Sequence, residues 1–283
     1  TKCPKCGGEV YNDPDTFDTW FSSGQWPFAA LGYPDDNDYK IYYPTDVMET
    51  GADILFFWVA RMIMLGIYVT GEIPFKTVYL HGMVRDVNRQ KMSKSKGNVI
   101  SPIEMSEKYG TDALRMALVV GNTPGSDMAL SEDKIKGYKH FANKIWNASR
   151  FVLDNIKDID SNIKPAITAE EKKLLDELAI EVKEITDDIE NYRFYLAAEK
   201  IYHYFWHNFA DVIIEESKSR LSSRDEFIRK SAQWTLFEIL SVMIKVIHPF
   251  MPFITEEIWS MLPIKDKKML MIENWPIREK ESE

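Results

Sequence analysis

Three ammonium groups, two hydroxyls and a glycine stand within one short run, Lys91-Met92-Ser93-Lys94-Ser95-Lys96-Gly97-Asn98. From Arg85 to Lys96 there are five basic residues and one acid, in a chain of formal net charge −9. A basic island on an acidic protein attracts a local anion, and phosphate suits this mixture of lysine, hydroxyl and glycine. A solvated surface loop is the plainer meaning of such a run, so its surroundings have to decide. The glycine and lysine spacing of a P-loop is absent.

The elements around the run are those of a nucleotide-binding sheet. Ile41-Tyr42-Tyr43 and Val47-Met48 frame Pro44-Thr45-Asp46 as a short buried strand with a break. Gly51 and Asp53 open a helix running to about Tyr68, with a carboxylate in its first turn where the positive helix end favours one. Thr77 to His81 is a second buried strand. Strand, helix, strand and basic loop make half of a doubly wound α/β sheet, in which ligands bind beyond the carboxyl ends of the strands. His81, Gly82 and the basic loop fall there. Attack at the α-phosphate of ATP builds charge on the phosphoryl oxygens and the departing pyrophosphate. Lysines on a mobile loop stabilise that charge more in the transition state than in the ground state. Ser93 and Ser95 can add hydrogen bonds, and Gly97 lets the loop swing.

From Ile135 onward the pattern changes to apolar helical spacing: Ile135–Leu153, Ala169–Ile189, Tyr192–Ser219, Arg224–Ile247 and Phe253–Met261. Hardly any strand remains, and an antiparallel helical bundle is expected. At 283 residues, 45% of them hydrophobic, with 8 Trp, 13 Tyr and 15 Phe, the chain has core material for more than one domain. The longest apolar run, Ile54 to Val69, is interrupted by Arg61 and is too short to span a bilayer. No membrane partner and no obligate protein partner is expected. Thr1-Lys2-Cys3 carries neither an initiator Met nor a signal-peptide pattern and looks like a cut through a longer protein. Two close cysteines make no secreted disulfide framework, which points to a reducing, cytoplasmic setting.

Cys3-Pro4-Lys5-Cys6-Gly7-Gly8 has the form of a metal knuckle, but zinc needs four ligands and the chain has two cysteines. Half a zinc site fits best, with a redox pair or two idle thiols as alternatives. His203 and His207 share a helix face, with no third ligand evident.

Lys91-Met92-Ser93-Lys94-Ser95, a short arm after Tyr79-Leu80-His81-Gly82-Met83-Val84, resembles the KMSKS signature of class I aminoacyl-tRNA synthetases. Asp18-Thr19-Trp20-Phe21-Ser22-Ser23 and Gly51-Ala52-Asp53-Ile54-Leu55-Phe56-Phe57-Trp58 are similar to segments of the valyl branch. Ile145-Trp146-Asn147-Ala148-Ser149-Arg150-Phe151 and the stretch from His248 to Trp259 extend the likeness from about Cys3 to about Pro276. The resemblance implies a C-terminal part of an enzyme that activates valine with ATP and Mg2+ and transfers it to tRNA(Val). It makes Lys94 the chief ATP-phosphate lysine with Lys91 in support, and adds Ser93 and Ser95 to the ATP site. Asp53 would hold the ribose, the backbone from His81 through Gly82 and Met83 to Val84 would hold adenine, and Trp20, Ile54 and Trp58 would wall the valine pocket. Such a pocket rejects larger side chains but discriminates poorly against threonine, a limit for which valyl-tRNA synthetases are themselves the standard illustration. Zn2+ at Cys3 and Cys6 would belong to the full-length protein.

Each assignment has a plainer alternative. The two tryptophans and Ile54 fit a core, Asp53 a helix N-terminal acid, and His81 a satisfied strand-end histidine with no acid partner evident. An isoleucyl relative or a non-catalytic tRNA-binding module are the rival functions. In the bundle, Asn191 to Tyr195 and Ile201 to His207 offer rings for stacking on splayed bases, though most must be core. Arg89 occupies a turn where relatives often have Gly, and Asn88 is expected to take the left-handed conformation instead. The implied domains are 1–40, the end of an insertion with the half knuckle; 41–90, the second half of a Rossmann-like domain; and 91–134, the loop and stem-contact region. Then follow 135–275, the helical anticodon-binding domain, and 276–283, a charged tail. The His-Ile-Gly-His signature and an editing domain are not found and are expected upstream of Thr1. The isolated chain is therefore expected to be inactive in aminoacylation, with tRNA anticodon binding the property left to it.

Overall fold

The computed structural model describes residues 2–160 and 163–277. The charged tail beyond 277 and part of the 158–164 connection lie outside the described residues. The chain divides into two compact units, Thr1–Gly82 and Met83–Glu283.

In the first unit, strands β1 (Thr45–Gly51) and β2 (Phe75–His81) pair in parallel, with Thr45 opposite Phe75 and Gly51 opposite His81. A parallel pair needs a crossover, and helix α3 (Ala52–Thr70) supplies it. It opens with a 3-10 turn at Ala52–Ile54, widens into a π turn at Leu55–Val59 and continues as α-helix from Ala60. It stops at Gly71, whose φ of 80° is left-handed. Val59, Met62 and Phe75 form the buried core, with Met48, Leu55, Trp58, Ile63 and Val78 packed around it. Because that cluster covers the sheet on the Met48 and Val78 side, β2 is half-buried rather than buried.

Two sequence expectations change here. Ile41 and Tyr42 are not strand: Asn37–Tyr42 is a short helix, α2, capped by the Asp36 side chain on the Asp38 N–H. Of the residues that suggested a strand, Ile41 and Tyr42 are exposed, and Tyr43 serves tertiary packing. Tyr39 stands against Tyr33 and Tyr43, and the Tyr43 hydroxyl reaches Thr70 and the Glu72 carbonyl. Second, Ala52–Thr70 is long and apolar enough, by length and composition, to cross a membrane. It nevertheless joins neighbouring parallel strands of one sheet, so it must lie along that sheet.

The second unit begins with another parallel pair, β3 (Val84–Arg85) and β4 (Met128–Ala129). Two residues per strand are too few for a period, so no residue pattern announces the pair. Helices α4 (Pro102–Tyr109) and α5 (Thr111–Val119) lie between them. Five longer elements follow: α6 (Glu132–Asn155), α7 (Ala169–Glu190), α8 (194–221, with a π-helical middle at Tyr204–Ile213), α9 (Glu226–Ile247) and α10 (Pro252–Met261). All five lie within about three residues of their predicted bounds. Side-chain caps fix the starts: Ser131 on Lys134 N–H, Thr168 on Glu171 N–H and Asp225 on Phe227 N–H. Phe141, Ile145, Ile201, Phe205, Phe209, Leu236 and Met243 are fully buried in one shared core.

Two polar clusters tie this unit together. Asp112, 7% exposed, accepts the Ile254 and Phe253 amides at 2.7 and 3.2 Å, and so caps α10 from α5. One turn on, Arg115 donates to the carbonyls of Pro249 and Phe250 at 2.9 and 3.2 Å. In the other cluster Glu171, 1% exposed, receives the hydroxyls of Thr168 and Ser231 and lies 3.7 Å from Arg220.

Removing one member of a buried charged group strands its partner. Glu171→Ala is expected to lower unfolding free energy by about 3–5 kcal/mol in denaturant titration, and a loss within 0.5 kcal/mol, the usual range for surface changes, would contradict the buried network. Burial holds the His248 imidazole below its usual pKa, against the pull of Glu256 and Asp112. A depressed folded pKa means its contribution is present above about pH 6.5 and is lost as pH falls through the folded value. His248→Gln should flatten the stability profile in that window. Asp112, raised by burial, acts in the opposite sense at lower pH and is common to both proteins.

Candidate functional site

The basic loop is built on a tight reversal. The Asp86 Oδ1 accepts the N–H groups of Asn88 and Gln90 at 2.9 and 2.8 Å, and the Asp86 N–H donates to the Gln90 carbonyl at 3.0 Å. The left-handed residue is Arg89, with φ 59°, and not Asn88. The Asn88 N–H is already committed to Asp86, so the reversal falls one residue later. The chain returns beside its start, with Lys91 bridged to Arg85. Ser93 is extended and leads into a 3-10 turn, Lys94–Lys96, which ends on Gly97 at φ 66°.

Asn98 then closes the loop. Its Nδ2 donates to Asp86 Oδ2 at 2.7 Å and to the Lys91 carbonyl at 3.3 Å, and its Oδ1 accepts the Ser93 N–H at 2.9 Å. These donors, the Asn98 amide first and then the Gln90 and Asn88 N–H groups with Lys96 nearby, hold the Asp86 carboxyl below its usual range. Ser93 and Ser95 place their hydroxyls 3.2 Å apart. Lys91 and Lys94 are exposed, and among the described residues neither ammonium is paired with a carboxylate. On the approach to the loop, Met83 has both backbone groups occupied: its N–H by Asp127 at 2.8 Å and its carbonyl by the Met128 N–H at 3.1 Å. Asp127 also pairs with Arg85, and Val84 lies in β3.

In the first unit the strand ends carry a second cluster. A Cβ on Gly51 would come 2.6 Å from Asp53 Oδ1 and 3.5 Å from His81 Nε2, so a side chain at 51 would evict the carboxylate. Asp53 and His81 therefore converge over Gly51, at the carboxyl ends of β1 and β2, with Gly82 buried just beyond. His81 does have an acid partner: its Nδ1 contacts Glu49, a diagonal neighbour across the ladder that linear sequence could not disclose. Trp20 sits 6.0 Å from Phe57, centroid to centroid, with the Arg61 guanidinium 5.8 Å from its ring. Trp58 donates its indole N–H to the Ser23 carbonyl at 3.1 Å and packs on the unit's core. Ile54 is half-buried at the start of the π turn. Helix α1 (Thr19–Gly24), capped by Asp18 on the Trp20 N–H at 2.8 Å, brings Trp20 and Ser23 to α3. Gly24 permits the approach, because a Cβ there would lie 2.7 Å from Leu65.

The Cys3 to Gly8 segment folds as a knuckle: the Cys3 N–H donates to Gly8, the Gly7 N–H to Cys3, and Gly7 has φ 72°. The N–H groups of Lys5 and Cys6 pull the Cys3 thiol below its usual pKa. Two thiols with amides on the sulfur suit one half of a thiolate metal site. Among the described residues no group of three or more His, Cys, Asp or Glu is gathered for a metal. The His203 and His207 rings lie 5.2 Å apart, tilted by 55°, and His207 faces Asp211 at 3.7 Å, an acid that also pairs with Lys144. Of the bundle rings, Tyr204 and Phe205 are core, whereas Tyr202 and Trp206 are partly buried. Arg193 is taken by the nearly buried Asp188 at 2.7 Å.

Residues 3–131 match the family model of class I tRNA synthetases (I, L, M and V), and residues 171–283 match the anticodon-binding domain of tRNA ligases. The valine–tRNA ligase of Clostridium tetani is 45% identical over 280 residues, covering 97% of this chain and 32% of the relative. That of Thermotoga maritima is 45% identical over 282 residues, covering 99% and 32%. The chain thus spans about a third of the length of these relatives. A LeuRS of Agrobacterium radiobacter, solved as a ternary complex with tRNA and LeuAMS, superposes with a TM-score of 0.77 at 23% identity, covering 98% of this chain and 34% of that one. The methionyl-tRNA synthetase of Mycobacterium tuberculosis in complex with methionyl-adenylate gives 0.68 at 24%, covering 82% and 47%. At such identities the likeness is one of fold.

The amides trained on Cys3 have a measurable consequence. With metal removed by a chelator, Cys3 should react with iodoacetamide at pH 7 faster than glutathione does, because a lowered pKa raises the thiolate fraction. A rate–pH midpoint at or above the ordinary thiol value of about 8.5 would contradict this geometry.

Proposed function

The chain belongs to the class I tRNA synthetases, in their valine–tRNA ligase branch, and on that premise we propose that it is the part of such an enzyme that supplies one side of the amino-acid-activation site and the tRNA-anticodon-binding bundle. In the whole enzyme, a carboxylate oxygen of valine attacks the α-phosphorus of ATP, pyrophosphate leaves, and valyl-adenylate forms. A terminal ribose hydroxyl of tRNA(Val) then attacks the valyl carbonyl, and AMP leaves. Lys94, supported by Lys91, neutralises charge on the phosphates as the bond to pyrophosphate breaks, with ATP entering as its Mg2+ complex. Ser93 and Ser95 add hydroxyl donors.

Asp53 accepts the ribose hydroxyls of ATP, beside His81 and Gly82, while the chain from His81 to Val84 lies along adenine. With the Met83 N–H and carbonyl already occupied, that contact falls to its neighbours. Trp20, Ile54 and Trp58 wall the valine pocket, and Cys3 and Cys6 give two ligands of a structural zinc. The parallel pair with its crossover is the second half of a Rossmann-like domain (41–90), after the end of an insertion (1–40). It leads through the loop region (91–134) to an antiparallel anticodon-binding bundle (135–275). A cytoplasmic setting accords with the reduced thiols.

One observation carries this reading: two ammonium groups, Lys91 and Lys94, without a carboxylate partner among the described residues, displayed on a loop that Asp86 and Asn98 tie closed. A loop kept only for solubility has no need of such organisation. In the full-length enzyme, Lys94→Ala is expected to lower kcat for valine-dependent ATP–pyrophosphate exchange by about 100- to 1,000-fold with little change in the KM for valine. Exchange at an undiminished rate would refute the assignment.

A further inference from the structure

Nothing in the Lys91–Gly97 segment can hold its own shape by burial: the lysines, Ser95 and Gly97 are exposed, and Met92 and Ser93 are only half-covered. Three ammonium groups on so short a stretch also repel one another. Besides the backbone turns from Lys96 N–H to Ser93 and Gly97 N–H to Lys94, and the Arg85–Lys91 bridge, the described side-chain hydrogen bonds to the segment's backbone converge on two side chains. Asp86 spends its carboxylate on three N–H donors, from Asn88, Gln90 and Asn98. Asn98 uses both ends of its amide, accepting from Ser93 while donating to Asp86 and to Lys91. Only a side chain that both donates and accepts can do this. Asp86 is one of the few buried acids of the chain, at 9% exposure, and the fixed negative charge of its carboxylate sits among the lysines it organises.

We infer that Asp86 and Asn98 are positioning residues for the phosphate-binding lysines, their side-chain pair setting the register in which Lys91 and Lys94 are presented. The inference rests on the activation reaction proposed above and adds to it two residues that touch neither ATP nor valine. The lysines act on charge that develops only in the transition state, so a displaced loop should slow the reaction without loosening valine.

The test exchanges the two groups in the full-length enzyme. Asp86→Asn sets an amide against an amide, and Asn98→Asp sets a carboxylate against a carboxylate. The double variant restores a carboxylate–amide pair with the roles reversed and still lets position 98 accept the Ser93 N–H, giving up only the longer 3.3 Å donation to the Lys91 carbonyl. Each single variant is expected to lower kcat for valine-dependent ATP–pyrophosphate exchange by about 10- to 100-fold, with the valine KM within about twofold. The double variant should return to within about fivefold of the parent. Hydrogen–deuterium exchange of the Ser93 amide should rise in both single variants and fall again in the double. Single variants with parental kcat, or a double variant no better than the worse single, would overturn the inference. So would a kcat loss with Ser93 protection unchanged, which would mean that Asp86 meets the nucleotide complex directly. An unaltered enzyme without valine-dependent exchange would instead sink the proposed function, and the Ser93 amide would still decide whether the pair holds the loop.

Discussion

Asp112 has lost nearly all its water, and the N–H groups that replace that water lie 141 and 142 positions further along the chain. A buried carboxylate without donors is costly, and the N-terminus of a helix offers unpaired N–H groups together with a favourable dipole. The two needs meet at the start of α10. Arg115 completes the exchange by satisfying the carbonyls of Pro249 and Phe250, where the chain leaves α9. This reciprocal contact fixes α5 against the far end of the bundle. The helices that follow the basic loop have no large core of their own. Their small cluster of Ala113, Leu114, Ala117, Leu130 and Ile135 shares its last member with α6. The strand at the base of the loop is tied through β4 to the start of α6, and the α5–α10 contact adds a second tie at the far end of the bundle.

Two styles of construction are combined in the larger unit. The bundle is held by bulk: Phe141, Phe205, Phe209 and the aliphatic residues of α9 remove large apolar areas from water, which is the dominant stabilising term for such an element. The loop is held by polar closure, with Asp86 and Asn98 substituting for a core. That difference suits their tasks. In the proposed role the segment meets a phosphate, which calls for exposed lysines, and exposed ammonium groups add nothing to a core. In the first unit the device is different again, a glycine at 51 that makes room for the Asp53 carboxylate beside His81. Absence of a side chain is there the enabling feature.

Much of the helical architecture was legible in sequence because its cause is local and periodic. Apolar helical spacing located α6 to α10 within about three residues, and the caps of Ser131, Thr168 and Asp225 account for three of their starts. The errors came where the cause was not periodic. Ile41 and Tyr42 have strand-forming side chains, yet Asp36 caps a helix there, Tyr39 packs edge-on to Tyr33 and tilted against Tyr43, and the Tyr43 hydroxyl reaches Thr70 and Glu72. At the reversal before the loop, residue preference pointed to Asn88, whereas hydrogen-bond geometry put Arg89 in the left-handed region. The β3–β4 pair was invisible because its two strands are too short to carry a pattern and lie far apart in the chain.

The sequence by itself determined the chemical inventory. Lysines, hydroxyls and a glycine in one run, an acid after Gly51, and a Cys-x-x-Cys turn are properties of residue type and short spacing, and no fold is needed to read them. Tertiary structure decided which of these groups have partners. Glu49 against His81, Asp127 against Met83 and Arg85, and Asp188 against Arg193 are set by strand register, by a loop returning from 42 to 44 residues away, and by a helix end. Above all it decided that Asp86, the one acid of the basic island, is no stray charge but the acceptor on which the island closes. Residue type says what a group can do, whereas burial and pairing, which depend on the whole path of the chain, say whether it remains free to do it.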